Sequence, residues 1–241
     1  MHSPTAERGQ VDTSARFFAL VAVSMLALGL WVARSTVAGP RFAFLWWNLF
    51  LAWVPWLLSV SLRFTRRGVF FWPLLLAWLA FFPNAPYLLT DLVHLKERAP
   101  VPLWFDVLFL AAFAWAGCLV GWDSLSQVHA QLRERCGART AAALIVVAVL
   151  LCGVGVFLGR FERLNSWELV TDPLQVATTS IEALLQPRAG VFSLAFASFV
   201  GAGYLFTRAT ALQGLEAGLT VADRSSQGAD CAVVRGPVRS Q

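Results

Sequence analysis

Six apolar runs, most of them close to the length of a bilayer crossing, constrain this chain more than any other feature. They cover residues 17–33, 42–62, 69–82, 102–122, 140–159 and 191–207. A hydrocarbon core of about 30 Å takes roughly 20 helical residues, because each residue of an α-helix rises about 1.5 Å. In lipid, every backbone N–H and C=O has to be satisfied within the protein, so a chain with six such runs folds as a helical bundle. The composition agrees: charged residues make up 14% of the 241 residues, against about 25% in soluble domains. The chain is therefore expected to be all-α, a polytopic transmembrane helix bundle of about six spans over residues 17–208. A polar segment, 1–16, precedes it, and a Gly-, Ser- and Arg-rich tail, 209–241, is expected to be disordered. A secretory signal peptide is the rival for the first run, since small residues follow at 35–39. Five further runs make an anchor the simpler reading.

Two segments depart from plain spans. The third run meets Pro83-Asn84-Ala85-Pro86, and a second apolar piece, 87–95, follows. Proline removes a backbone donor and clashes with the preceding turn, which predicts a proline-broken third span. Such breaks are tolerated at membrane depth where they are buried in protein or line a cavity, and transporters use them to expose backbone groups. The plainer alternative is that the prolines end span three near the interface and Asn84 caps the next helix. Between spans five and six, Asp172-Pro173 reads as a helix start, a capping carboxylate with proline in the first turn. Leu174, Ala177, Ile181, Leu184 and Leu185 then recur at helical spacing. This predicts an amphipathic helix, either lying on the membrane surface or packed on the bundle.

The net charge of +5 is spread between the apolar runs rather than gathered in one patch. That pattern suits membrane lipids and topology control, and nucleic-acid binding has no support. With six spans, twelve of the 19 Lys and Arg residues fall on one side and seven on the other. The excess puts both termini in the cytoplasm. Cys118, Cys136, Cys152 and Cys231 show no paired spacing, so neither a disulfide framework nor a cysteine zinc site is expected. There is no P-loop, GxGxxG or HExxH sequence.

The same topology gathers polar residues. Asn48, Asn84, Tyr87, Asp91, His94, Asp106, Arg160, Glu162 and Asn165 all belong to one end of the bundle, the outer one in this orientation, with Trp167 beside them. Polar groups at membrane depth are costly and are usually paired or functional. Gly117-x-x-x-Gly121 and Gly155-x-x-x-Gly159 mark close helix contacts. Asp106 lies eleven residues before Gly117, within about 20° of it around the helix, and so points into the bundle. Arg160 is its expected partner. Glu162 falls on the Gly155 stripe if that helix continues. Asp91 and His94, three apart, share a face. They can serve as a metal pair, a proton-transfer pair or simply a local hydrogen bond. Asp91, His94 and Asp106 are thus the candidate catalytic groups. Asn48, Asn84, Tyr87, Arg160, Glu162, Asn165 and Trp167 are the candidate binding groups, with Arg160 holding an anion. The sequence assigns no metal and no cofactor.

Several stretches carry a family resemblance. They are Asn48-Leu-Phe-Leu-Ala-Trp-Val-Pro55, Phe82-Pro-Asn-Ala-Pro-Tyr-Leu-Leu-Thr-Asp-Leu-Val-His-Leu95, Pro102-Leu-Trp-Phe-Asp106 and Gly159-Arg-Phe-Glu-Arg-Leu-Asn-Ser-Trp167. Over about residues 40–208 the chain resembles a bacterial family of integral membrane proteins grouped as domain of unknown function thirteen-sixty-one. The resemblance implies a multi-pass protein of the bacterial inner membrane and brings no activity with it. Three functions stay open: an accessory or structural subunit of an envelope complex, with a membrane-protein partner or as a homo-oligomer; a membrane enzyme acting on a lipid-linked or envelope substrate at the outer leaflet; and a small-solute or ion transporter.

Overall fold

The computed structural model describes the backbone of residues 4–65 and 68–234, and the side chains of residues 14–65, 68–169 and 171–214. Arg66, Arg67, Arg235 and Arg239, which entered the charge count, lie outside the described residues, as do the side chains of Arg8, Arg224 and Cys231. The chain divides into two compact units, Met1–Gly201 and Ala202–Gln241. The packing described below is that of the first.

The α-helices are α1 (Pro4–Ala38), α2 (Phe44–Phe64), α3 (Gly68–Phe81), α4 (Asn84–Tyr87), α5 (Leu103–Cys136), α6 (Ala138–Phe157), α7 (Glu168–Thr171), α8 (Pro173–Leu184) and α9 (Pro187–Val234). A 3-10 segment, Leu88–His94, follows α4, and a π-helical turn, Leu158–Glu162, follows α6. No named strand occurs among the described residues. Six helical stretches are long and apolar enough to cross a membrane: Ser14–Ala38, Phe44–Phe64, Gly68–His94, Leu103–Cys136, Ala138–Glu162 and Pro187–Gly214. These are the six spans read from the sequence. In the backbone α9 runs on to Val234, past the boundary at 208 where the sequence places the start of a tail.

The core forms around α5, which packs against α1, α2, α4, the 3-10 segment and α6. Phe109, Leu110, Phe113 and Ala116 of α5 bury against Leu45, Leu49 and Ala52 of α2 and Ala27 of α1. The outward faces are apolar as well: Trp46, Phe50, Leu57, Trp115 and Leu150 are exposed. Bulky apolar side chains on the outside of a bundle suit lipid, and would be an aggregation hazard in water. At 34 residues α5 is about 51 Å long, well beyond the roughly 30 Å of a hydrocarbon core.

The two glycine stripes have one job. Both pack on the corner between α3 and the 3-10 segment. A Cβ on Gly117 would collide with the backbone carbonyl of Ala85, and one on Gly121 would come 3.1 Å from the Ala85 Cβ. On α6, a Cβ at Gly155 would lie 2.6 Å from Pro83 Cγ and one at Gly159 3.4 Å from Tyr87. The Pro83–Tyr87 corner is thus held between α5 and α6 by the absence of side chains. At this corner α3 stops at Phe81, and Asn84 donates back to the Phe81 carbonyl at 2.9 Å instead of capping the helix that follows. At the other turn of this end, Phe42 sits at φ 69°, a left-handed conformation costly for a bulky residue. Its ring is fixed there by the Arg34 and Arg98 guanidinium groups, 4.6 and 5.4 Å from the ring centre.

In the segment after α6, Asp172 caps α8, accepting from the Gln175 N–H at 3.1 Å. Leu174, Ile181, Leu184 and Leu185 are all exposed, so the apolar stripe of α8 has no protein cover among the described residues.

Candidate functional site

Asp106 is 1% exposed, as its register with Gly117 requires, and it is paired, though not with Arg160. Arg34, at the end of α1, donates to it from Nε at 2.7 Å and from Nη2 at 3.3 Å. The Arg34 side chain is equally buried, at 1%. A two-point guanidinium–carboxylate pair is strong and geometrically specific. It also sets an anion in the first turn of α5, as that helix's dipole prefers. The expected Arg160–Asp106 pairing is therefore corrected. Arg34 lies at the same end in the six-span topology, but a flanking arginine is ordinarily a topology signal, and that reading hid its second role.

Arg160 pairs with Asp91 instead. Its Nη1 lies 3.3 Å from Asp91 Oδ1, and its Nη2 3.4 Å from His94 Nε2. Asn48 of α2 donates to Asp91 Oδ2 at 3.0 Å. Asp91 is 1% exposed, whereas the Arg160 side chain is 19% exposed. Asp91 and His94 thus share a face, as their spacing predicts, with the arginine bridging them. Among the described residues no group of three His, Cys, Asp or Glu side chains lies close enough to hold a metal ion.

A cavity of about 180 Å³ opens beside this network. Its polar lining comes from Asn48, Asn84, Tyr87, Asn165 and Ser166, and among the described residues none that lines it is charged. Asn84 donates to Ser166 Oγ at 2.9 Å, tying the α3–α4 corner to the loop after α6. Glu168 fixes that loop by accepting from the Asn165 backbone N–H at 2.8 Å and from its side-chain amide at 3.3 Å. Four of the candidate binding residues, Asn48, Asn84, Tyr87 and Asn165, therefore line one cavity, and Asn48 connects it to Asp91. Asp91, His94, Asp106 and Arg160 do not line it. Nor do Glu162 and Trp167. Trp167 is exposed, and the π turn at Leu158–Glu162 widens the helix, so Glu162 leaves the Gly155 stripe. Ser166 lies in the Gly159–Trp167 stretch but is not among the candidate site residues read from the sequence; it enters the site through a loop whose path only the fold defines.

Residues 47–202 match the model of a family described as "Protein of unknown function (DUF1361)". The chain belongs to this family. The matched segment contains the cavity and the Asp91–Arg160 pair, but of the other pair it contains Asp106 without Arg34. No curated protein and no solved structure matches the chain.

Proposed function

We propose that this family member is a non-catalytic accessory subunit of a complex in the bacterial inner membrane, with both termini in the cytoplasm. Its polar end, on the outer side, receives a polar group from a membrane-protein partner in the cavity formed by Asn48, Asn84, Tyr87, Asn165 and Ser166. One observation carries this reading: the carboxylates that could do acid–base work are held by arginines, and the cavity beside them is lined by neutral groups. A general acid or base has to reach the proton it transfers. Asp106 is enclosed with Arg34, and Asp91 is shut in behind Asn48. The cavity volume, about 180 Å³, falls below the roughly 300–1,000 Å³ of ordinary ligand pockets and suits a single side chain. The α3–α4 corner then acts as a built wall of the cavity, and the exposed apolar stripe of α8 rests on the membrane surface.

The enzyme reading keeps one supporting observation, the Asp91–Arg160–His94 network, whose arginine reaches solvent. A photocrosslinking side chain at Leu169, on the cavity wall, separates the two. In intact cells it should give one discrete protein adduct, whereas the same group at Leu150, on the exposed face of α6, should give none. The adduct should persist when Arg34 and Asp106 are replaced together by Met and Leu. Absence of a protein adduct from Leu169 would sink the accessory reading.

A further inference from the structure

At the opposite end of the bundle a larger cavity, of about 680 Å³, opens between α1, α2 and α5. It has a charged mouth and an aromatic wall. Arg16 and Arg63 supply the cations, Asp123 and Gln127 the acceptors, and Phe17, Phe18, Trp56 and Leu57 the apolar lining. Asp123 is held in place at one oxygen, Oδ2, by Trp56 Nε1 at 2.8 Å and Gln127 Nε2 at 2.7 Å. Among the described residues the Gln127 carbonyl, Oε1, is buried without a hydrogen-bond partner.

Depth selects the occupant. Asp123 comes 20 residues after Leu103, the first residue of α5, which is about 30 Å along the helix. Arg63 comes 19 residues after Phe44 of α2, about 28 Å along. Counted from their starts at the far end, both residues sit about one hydrocarbon thickness away, at the headgroup level of the leaflet on the side of the termini. Arg16 sits near the start of the first span, in the same layer.

The geometry points to a specific binding site for one glycerophospholipid whose headgroup carries a phosphate and a terminal ammonium, as in phosphatidylethanolamine. The phosphate meets the guanidinium groups of Arg16 and Arg63, which suit phosphate oxygens in shape and charge. The ammonium, with three N–H donors, meets the Asp123 carboxylate on the cavity lining. An acyl chain lies along Phe17, Phe18 and Leu57. A quaternary headgroup has no N–H to donate to the Asp123 carboxylate; a glycerol headgroup donates but carries no cation for it.

Native mass spectrometry of the full chain in nanodiscs tests this, with equal amounts of phosphatidylethanolamine, phosphatidylcholine and phosphatidylglycerol. The expected result is one tightly retained phosphatidylethanolamine per chain, enriched about tenfold over the other two, the factor that about 1.4 kcal/mol represents. Asp123→Asn should abolish the preference over phosphatidylcholine while a lipid is still retained. Arg16→Gln with Arg63→Gln should lose the retained lipid. The lipid comparison on the unaltered protein needs no variant to fold. Equal retention of the three lipids, a preference for phosphatidylglycerol, or retention unchanged by the double arginine replacement would overturn the assignment.

Discussion

Removing Arg34 should be among the most damaging single substitutions in the chain, and removing its partner as well should repair most of the damage. Both side chains of the Arg34–Asp106 pair are 1% exposed, so neither charge can turn to water when the other is lost. Breaking a buried pair by deleting one member costs about 3–5 kcal/mol, because the survivor stays desolvated and uncompensated. For a chain of this size, 1 kcal/mol moves Tm by about 2–4 °C, so Arg34→Met alone should lower it by about 6–20 °C. Asp106→Leu alone should do similar harm, since Arg34 keeps its charge beside the Phe42 ring. Replacing both by apolar residues of similar volume is often neutral or stabilising, so the double variant should return close to the parent. Thermal denaturation of the four proteins in detergent gives the coupling directly as a double-mutant cycle. If the single effects are each under about 0.5 kcal/mol, or simply add in the double variant, the pair is not the buried structural element described above.

Two further substitutions probe the packing. Gly155→Ala would place a methyl group 2.6 Å from the rigid Pro83 ring and should destabilise the corner by about 1–3 kcal/mol, whereas Gly29→Ala, with nothing within 4 Å, should be neutral or slightly stabilising in its helix. Equal melting shifts for the two would contradict the clamp. Ser124 accepts from Trp78 Nε1 at 2.8 Å and donates to the Pro55 carbonyl at 3.0 Å, all buried. Ser124→Ala should therefore cost about 1–3 kcal/mol, and adding Trp78→Phe should cost less than it does alone, because the stranded indole N–H goes with it.

Much of this architecture was legible before the fold. Hydropathy gave the six spans, and the 100° register of Asp106 on Gly117 gave its inward direction. Alternating span directions gave the shared end of Asn48, Asn84, Tyr87 and Asn165. Asp172-Pro173 gave the start of α8 by local chemistry alone. The failures have a common cause, which is that partner choice depends on rotation and tilt that no pattern of single residues carries. Arg34 and Arg160 both lie at the correct end, and only the packing of α1 on α5 decides that Arg34 takes Asp106. The π turn after Phe157 adds a small register shift that moves Glu162 off its stripe. Asn84 chose the carbonyl behind it over the helix ahead because the α3–α4 corner leaves the Phe81 carbonyl within reach.

The most direct test of the central claim, one polar end facing outward, is the labelling of cysteines with a membrane-impermeant maleimide. Thr171→Cys places a thiol at the exposed end of α7, between α6 and α8, and the native Cys136 is half-exposed at the far end of α5. In intact spheroplasts Thr171→Cys should be labelled and Cys136 protected, with Cys136 reacting only after lysis. Labelling of both from the same side would contradict the six-span arrangement. Labelling of Cys136 alone from outside would place the polar end in the cytoplasm and remove the basis for an outward-facing subunit.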